Sequence, residues 1–135
     1  IEDLYEYRIL LESFAAGKVA AAITPSQFAE LKGLLADEDG PEPDYTALVH
    51  ANETFHLRLA EFAGNARVLD QLRLSLHFAR RLDTLYLRVD QQWIGHGELF
   101  AAFERRDPEA ARAAMAAHLG ASRSGLTAVL AHKRL

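Results

Sequence analysis

Asn52 and His56 stand one helical turn apart in a segment whose other inward-facing positions are apolar. Residues at i and i+4 lie on the same face of a helix, so both side chains can offer an electron-pair donor to one point. His96 and His118 follow in later amphipathic segments, each on or beside the apolar stripe. A single histidine at such a position is more often a packed core residue than a ligand. Three of them, with an amide one turn before the first, indicate a shared binding site.

The chemistry that these four residues favour is metal binding. Burial of several imidazoles leaves polar atoms in need of partners, and a metal ion would satisfy all of them at once. The chain has no cysteine, so a metal must be held by histidine, carboxylate, amide or water. We expect a divalent ion, zinc first and nickel, manganese or iron as alternatives, with positions open to water or a small anion. The predicted ligands are Asn52, His56, His96 and His118.

Arg8 is the second unusual residue, because it lies within the apolar stripe of the first helical segment. One interpretation is that its stem packs on the core while its guanidinium reaches water or pairs with Glu12. The other is that the guanidinium points inward beside the metal, where its planar donors would receive a carboxylate. The sequence leaves both open. His50, His77 and His132 are predicted to be surface or helix-end residues without a role.

The elements that position these residues are helices. Hydrophobic periodicity predicts six of them, at about 2–22, 25–36, 44–63, 66–89, 92–105 and 108–131. Thr24 with Gln27 has the pattern of a capping box, and Gly64 that of a helix C-cap. The acidic stretch 37–43 is predicted to be a solvated loop. The connections are mostly short, which favours an all-α antiparallel helical bundle.

Composition limits the classes of function. The chain of 135 residues is long enough for one compact domain, and residues 1–135 are predicted to form it. Its formal net charge of −4 disfavours direct binding to nucleic acid. No apolar run approaches the length of a membrane span, and no leader pattern opens the sequence, so we expect a cytoplasmic protein without membrane contact. The chain begins at Ile1 in a helical pattern, which suggests that an upstream part lies outside it.

Catalytic alternatives have less support. The serines lack a nucleophile elbow or an activating base, and no glycine-rich phosphate loop is present. A metal-dependent hydrolytic enzyme with a three-histidine site remains an alternative, and it requires a general base near the metal. Glu53 and Glu98 lie within one turn of predicted ligands. A structural dimerisation bundle with core histidines and no ligand is the other alternative.

Several stretches together resemble the FadR-type C-terminal domain, or FCD domain, of GntR-family transcription regulators. They are Leu4 to Glu12, Asn52 to His56, Ala63 to Asn65, and the interval from His96 to Leu119. The resemblance follows the family order over nearly the whole chain. It implies an antiparallel bundle of six to seven helices. In the family, a metal is commonly held by an aspartate or asparagine one turn before a histidine and by two later histidines.

The resemblance also implies a function. Domains of this family sense a small metabolite, commonly a carboxylate, and control operator binding by an N-terminal winged helix-turn-helix domain that is absent from this chain. We therefore expect a non-enzymatic, ligand-sensing domain that forms a homodimer, binds a divalent metal and a small organic acid, and contacts DNA only through the missing domain. Arg8 would bind the carboxylate, with Arg80 as a second candidate. Asn52 stands where many family members have aspartate, which leaves the metal site more positive.

Overall fold

The computed structural model describes residues 1–90 and 93–133. In these ranges the chain forms six α-helices and one short 3-10 helix, and it has no strand. The α-helices are α1 (Glu2–Ala22), α2 (Pro25–Leu34), α3 (Tyr45–Ala63), α4 (Ala66–Asp90), α5 (Gly97–Glu104) and α6 (Pro108–Lys133). The 3-10 helix (Ala36–Asp39) lies between α2 and α3. The predicted all-α helical bundle is thus confirmed.

Local chemistry fixes most of the helix ends. Thr24 and Gln27 form a reciprocal capping box at the start of α2, as predicted. Asp44 accepts a hydrogen bond from the first turn of α3, and Gly64 ends that helix with a left-handed φ of 76°. The side chain of Asn65 accepts two backbone N–H bonds at the start of α4. These caps orient α3 and α4, which carry part of the candidate site.

Helix α1 lies at the centre of the packing, in contact with α3, α4, α5 and α6. The core contains the fully buried side chains of Tyr5, Phe55, Leu59, Phe103 and Met115. Burial of each large apolar side chain stabilises the fold by about 1.5–3 kcal/mol. The polar residues Arg8 and Glu12 are buried in the same α1 face, so this helix carries charge into the bundle interior.

Two predictions were wrong in part. The acidic stretch predicted as a solvated loop contains the 3-10 helix, and the side chain of Glu38 points inward from it. The fifth helix begins at Gly97, so His96 is its N-cap residue rather than an interior position. Glycines on both sides of His96 explain the late start, because glycine loses the most backbone entropy in a helix. Residues 91 and 92, where this helix was expected to begin, lie outside the described ranges.

Over the described residues, no helix combines the length and the apolar character that a membrane span requires.

Candidate metal centre

Three histidines from separate parts of the chain meet in the bundle interior. His56 projects from α3, His96 from the residue before α5, and His118 from α6. One ring nitrogen of each lies within 4.8 Å of the corresponding nitrogen of the other two. The Nε2 atoms of His56 and His96 are 3.4 Å apart. The sequence predicted that the three histidines converge, although His96 lies before a helix and not within one.

The ring of His56 is held by a carboxylate from α1. Its Nδ1 lies 2.5 Å from Oε1 of Glu12, and both side chains are buried. The other oxygen of Glu12, Oε2, accepts a hydrogen bond of 2.7 Å from Nε of Arg8. Burial opposes the ionisation of Glu12, but the adjacent Arg8 and His56 outweigh it and lower its pKa to about 2. Glu12 is therefore an anion that binds a guanidinium on one side and an imidazole on the other.

The ring of His96 is held by Glu38, which was not expected in the site. Oε1 of Glu38 lies 2.5 Å from Nδ1 of His96 and accepts a 2.7 Å hydrogen bond from Nε1 of Trp93. Its Oε2 accepts the backbone N–H of His96 at 3.2 Å. Burial opposes the ionisation of Glu38, but these hydrogen bonds lower its pKa. One carboxylate thus fixes both the ring of His96 and the chain that leads to it.

The ring of His118 donates from Nδ1 to the backbone carbonyl of Gly95 over 3.0 Å. A carbonyl oxygen can only accept, so this contact places the proton on Nδ1 and leaves Nε2 as an electron-pair donor. Burial, with His96 and His56 nearby, lowers the pKa of His118 well below its ordinary value. Burial also lowers the pKa of His96. Both rings are therefore neutral at pH 7, which is the form that binds a metal.

The Nδ1 atom of each histidine thus contacts a fixed acceptor. The acceptor is a carboxylate for His56 and for His96, and a backbone carbonyl for His118. This is the arrangement in which an outer partner orients a metal-binding imidazole and sets its tautomer. The Nε2 atoms remain for a common cation. Asn52 adds an oxygen donor, because its Oδ1 is buried and has no hydrogen-bond partner among the described residues.

The charge around the centre also fits a divalent cation. The carboxylates of Glu12, Glu38 and Asp83 lie around the three histidines, and the guanidinium of Arg8 interacts with two of them, Glu12 and Asp83. When all are ionised, these four groups carry two negative charges, which a divalent ion would neutralise. The donor set and the charge therefore both fit a divalent transition metal held by Asn52, His56, His96 and His118.

Arg8 takes the inward orientation. Only 2% of its surface is exposed, so its guanidinium does not reach water, and its pairing with Glu12 was one of the sequence-based alternatives. Burial opposes the charge on Arg8, but Glu12 and other nearby acidic groups raise its pKa. Arg80 is only partly buried, and its Nε binds Oε2 of Glu53 at 2.8 Å.

A small cavity lies beside the histidines. It has a volume of about 20 Å³ and is lined by Asn52, Asp83, Tyr86, Leu87, Trp93, Ile94 and His118. This is room for roughly one or two water molecules. Neither of the sequence-based candidates for a general base lines it, since Glu53 pairs with Arg80 and Glu98 is exposed.

Asp83 was missed in the sequence, although a signal was present. It lies four residues after the buried Ala79 on the apolar face of α4, where an acidic side chain is as unusual as Arg8 is on α1. Burial raises the pKa of Asp83 to about 6, and the attraction of Arg8 opposes that rise. His50, His77 and His132 are exposed, as expected.

Comparison with known proteins places the chain in a family. Residues 3–121 match the family model of the FCD domain. The chain belongs to the FCD domain family. This FCD domain is also similar to the solved structure of Streptococcus agalactiae GntR, with a TM-score of 0.69 and 29% sequence identity. The match covers 90% of this chain and 57% of that one, so the FCD domain spans little more than half of that protein. Among curated proteins, none matches the chain significantly.

The family assignment confirms the resemblance found in the sequence. The chain is an FCD domain of the effector-binding type found in GntR-family regulators. Its fold, a helical bundle, is that of the matching GntR structure.

Proposed function

We propose that this FCD domain is the sensor of a GntR-type transcriptional regulator and binds a divalent metal ion together with a small organic acid. The observation that carries the proposal is the shared orientation of three imidazoles. Each Nδ1 is bound to a fixed acceptor, and one ring nitrogen of each lies within 4.8 Å of the others. The ligands in this proposal are Asn52, His56, His96 and His118, with zinc as the first candidate metal and nickel, manganese or iron as alternatives.

The acid would bind through its carboxylate. A metal with four protein ligands keeps positions for an anion, and Arg8 stands within the same charged cluster. Glu12 uses the Nε–H of Arg8, which is one of the five N–H donors of a guanidinium. We propose that the terminal nitrogens of Arg8 bind a carboxylate oxygen, with Arg80 as a second candidate. No catalytic step is part of this proposal.

Binding of an acid would change the shape of the site. A cavity of about 20 Å³ is too small for most organic acids, so its wall must move when one enters. Trp93 and Ile94 form part of that wall, and Glu38 ties Trp93 to His96. Ligand occupancy would thereby favour one arrangement of residues 93–96 over another, which is what a sensor requires.

A homodimer is the proposed assembly. The described residues include five exposed large apolar side chains, and all belong to α1, its N-cap residue or α4: Ile1, Leu10, Phe14, Leu74 and Phe78. Tyr7 donates to Gln71 over 2.7 Å, which places the outer faces of the two helices side by side. An exposed apolar surface of this kind is typical of a protein interface. A second copy of the chain, which carries the same surface, would cover it.

The remaining parts of the proposal concern the whole regulator. Operator DNA would be bound only by an N-terminal winged helix-turn-helix domain outside this chain, since the net charge of −4 disfavours direct contact. A regulator of this type acts in the cytoplasm.

A binding assay tests the sensor function. The chain is loaded with zinc, and small carboxylates are screened for a shift in melting temperature, with the chelator-treated protein as control. An acid at a hundred times its Kd stabilises the folded chain by about 2.7 kcal/mol. We expect a shift that requires the metal. A chain that binds no metal and responds to no acid would instead be a structural bundle.

A further inference from the structure

Asp83 faces the small cavity without a donor to bind. Its side chain lines the cavity together with Asn52 and His118. Within ranges 1–90 and 93–133, its carboxylate makes no hydrogen bond and no ion pair, and its interactions with Arg8, Glu12 and His96 are only electrostatic. Asp83 is partly buried, and a polar group removed from water is costly to the extent that no partner satisfies it. The carboxylate therefore indicates a ligand that brings a donor.

The neighbouring groups do not supply that donor. His118 donates its Nδ1–H to Gly95, and Asn52 presents an unpartnered oxygen, which is another acceptor. Arg8 donates from Nε to Glu12, and its terminal nitrogens attract Asp83 only electrostatically, without a hydrogen bond between the two side chains. Asn52 and Asp83 thus place acceptor oxygens on the cavity wall beside the proposed metal.

Asp83 also differs from the proposed metal ligands. The group whose ligand atoms approach one another within 4.8 Å consists of His56, His96 and His118, and Asp83 is outside it. A carboxylate that shares the cavity but not this cluster is placed to contact what occupies the cavity.

We propose that Asp83 determines effector specificity by accepting a hydrogen bond from a hydroxyl or ammonium group that the effector carries next to its carboxylate. A simple monocarboxylate offers only acceptors and a negative charge, so it would face Asp83 with like charge. A hydroxy acid or amino acid places a donor there instead, and hydrogen bonds to an ionised acceptor are the strong ones. This inference rests on the proposed function, because it assumes that the acid binds at the metal.

Three two-carbon acids suit the test, since the cavity is small. Acetate, glycolate and glycine share the carboxylate and differ only in whether the second carbon carries hydrogen, hydroxyl or ammonium. Their affinities for the zinc-loaded 135-residue chain are measured by isothermal titration calorimetry. We expect glycolate or glycine to bind at least about tenfold more tightly than acetate, because a site built for a donor rejects an analogue that lacks it.

Two substitutions at Asp83 test whether this residue causes the preference for glycolate or glycine over acetate. Asp83→Leu has similar size and no acceptor, so it should bring the three affinities to within about threefold while acetate binds as well as before. Asp83→Asn keeps an acceptor oxygen without the charge, and it should weaken glycine more than glycolate. The matched control is Asp70→Leu, an exposed aspartate on the same helix, which should keep the full preference.

The outcomes separate this inference from the function on which it rests. Equal binding of the three acids, or a preference that survives in Asp83→Leu, overturns the role of Asp83 and leaves the sensor function standing. A zinc-loaded chain that binds none of the three overturns the inference, and a chain that takes up no zinc overturns the proposed function as well. Circular dichroism checks that each variant is folded. If Asp83→Leu does not fold, the binding preference of Asp83→Asn tests the role of Asp83 instead.

Discussion

Glu12 on α1 lies 2.5 Å from Nδ1 of His56 on α3, so a carboxylate of the first helix fixes a histidine ring presented by the third. The same carboxylate binds Arg8 through its other oxygen. The site is therefore attached to the central helix of the bundle, and its integrity should depend on residues that touch neither metal nor effector.

Replacement of Glu12 by glutamine should destabilise the metal-free chain by about 3 kcal/mol, because it leaves the buried guanidinium of Arg8 without its counter-ion. Urea denaturation at pH 7 measures the change in the free energy of unfolding. Glu6→Gln on the exposed side of α1 serves as control and should change stability by less than about 0.5 kcal/mol. Equal effects of the two substitutions would show that the Arg8–Glu12 ion pair contributes no more to stability than an exposed glutamate does.

Replacement of Glu38 by glutamine should weaken metal binding by about 10- to 100-fold, since the carboxylate orients His96 without touching the metal. Competition with a chromophoric chelator measures the affinity. Asp39→Asn, an exposed neighbour in the same 3-10 helix, is the matched control. If Glu38→Gln binds metal as tightly as the control, the hydrogen bond to His96 does not contribute to the site.

The two histidines on long helices were predictable, and their supporting residues were not. His56 and His118 lie at helical spacing from apolar neighbours, so periodicity alone indicates that they face inward. Glu38 lies in a run of three acidic residues, which ordinarily indicates a solvated segment. Its inward orientation depends on the 3-10 helix and on contacts with Trp93 and His96 more than fifty positions away. Spacing within one segment carries no information on such contacts.

The fold was predictable to a greater extent because its signals are local. The capping box at Thr24 and the left-handed Gly64 were correctly identified, since each depends on residues within one turn. The predicted start of α5 was wrong, because the glycines on both sides of His96 disfavour helix there. Asp83, like Arg8, is a charged residue within the apolar stripe of its helix, and this local pattern indicates a site.

Replacement of Asp83 by asparagine should stabilise the metal-free chain by about 3 kcal/mol at pH 7. Burial raises the pKa of Asp83 from an ordinary value of 3.8 to about 6, so the folded chain disfavours the charged form. The cost of that charge is absent below the unfolded pKa, grows as pH rises from about 4, and is complete above about 6. The stability difference between the variant and the natural chain should therefore vanish near pH 4.

Urea denaturation of the chelator-treated proteins at pH 7 and pH 4 tests this dependence. A difference of the same size at both pH values would mean that the charge of Asp83 is not its source.

Replacement of Phe78 by glutamate should shift the chain from dimer to monomer, because it places a charge within the exposed apolar surface of α1 and α4. Sedimentation velocity measures the oligomeric state. Ala121→Glu on an exposed position of α6 is the control and should leave the dimer intact. Monomers for both variants and for the natural chain would exclude this surface as a dimer interface under the conditions used.

The most direct test of the central claim is elemental analysis of the chain purified without a metal-affinity tag. We predict about one divalent metal ion per chain, and its loss in a folded His118→Ala variant, because that substitution removes one of three converging imidazoles. A natural chain that is purified without metal and takes up none when zinc is supplied would contradict the claim.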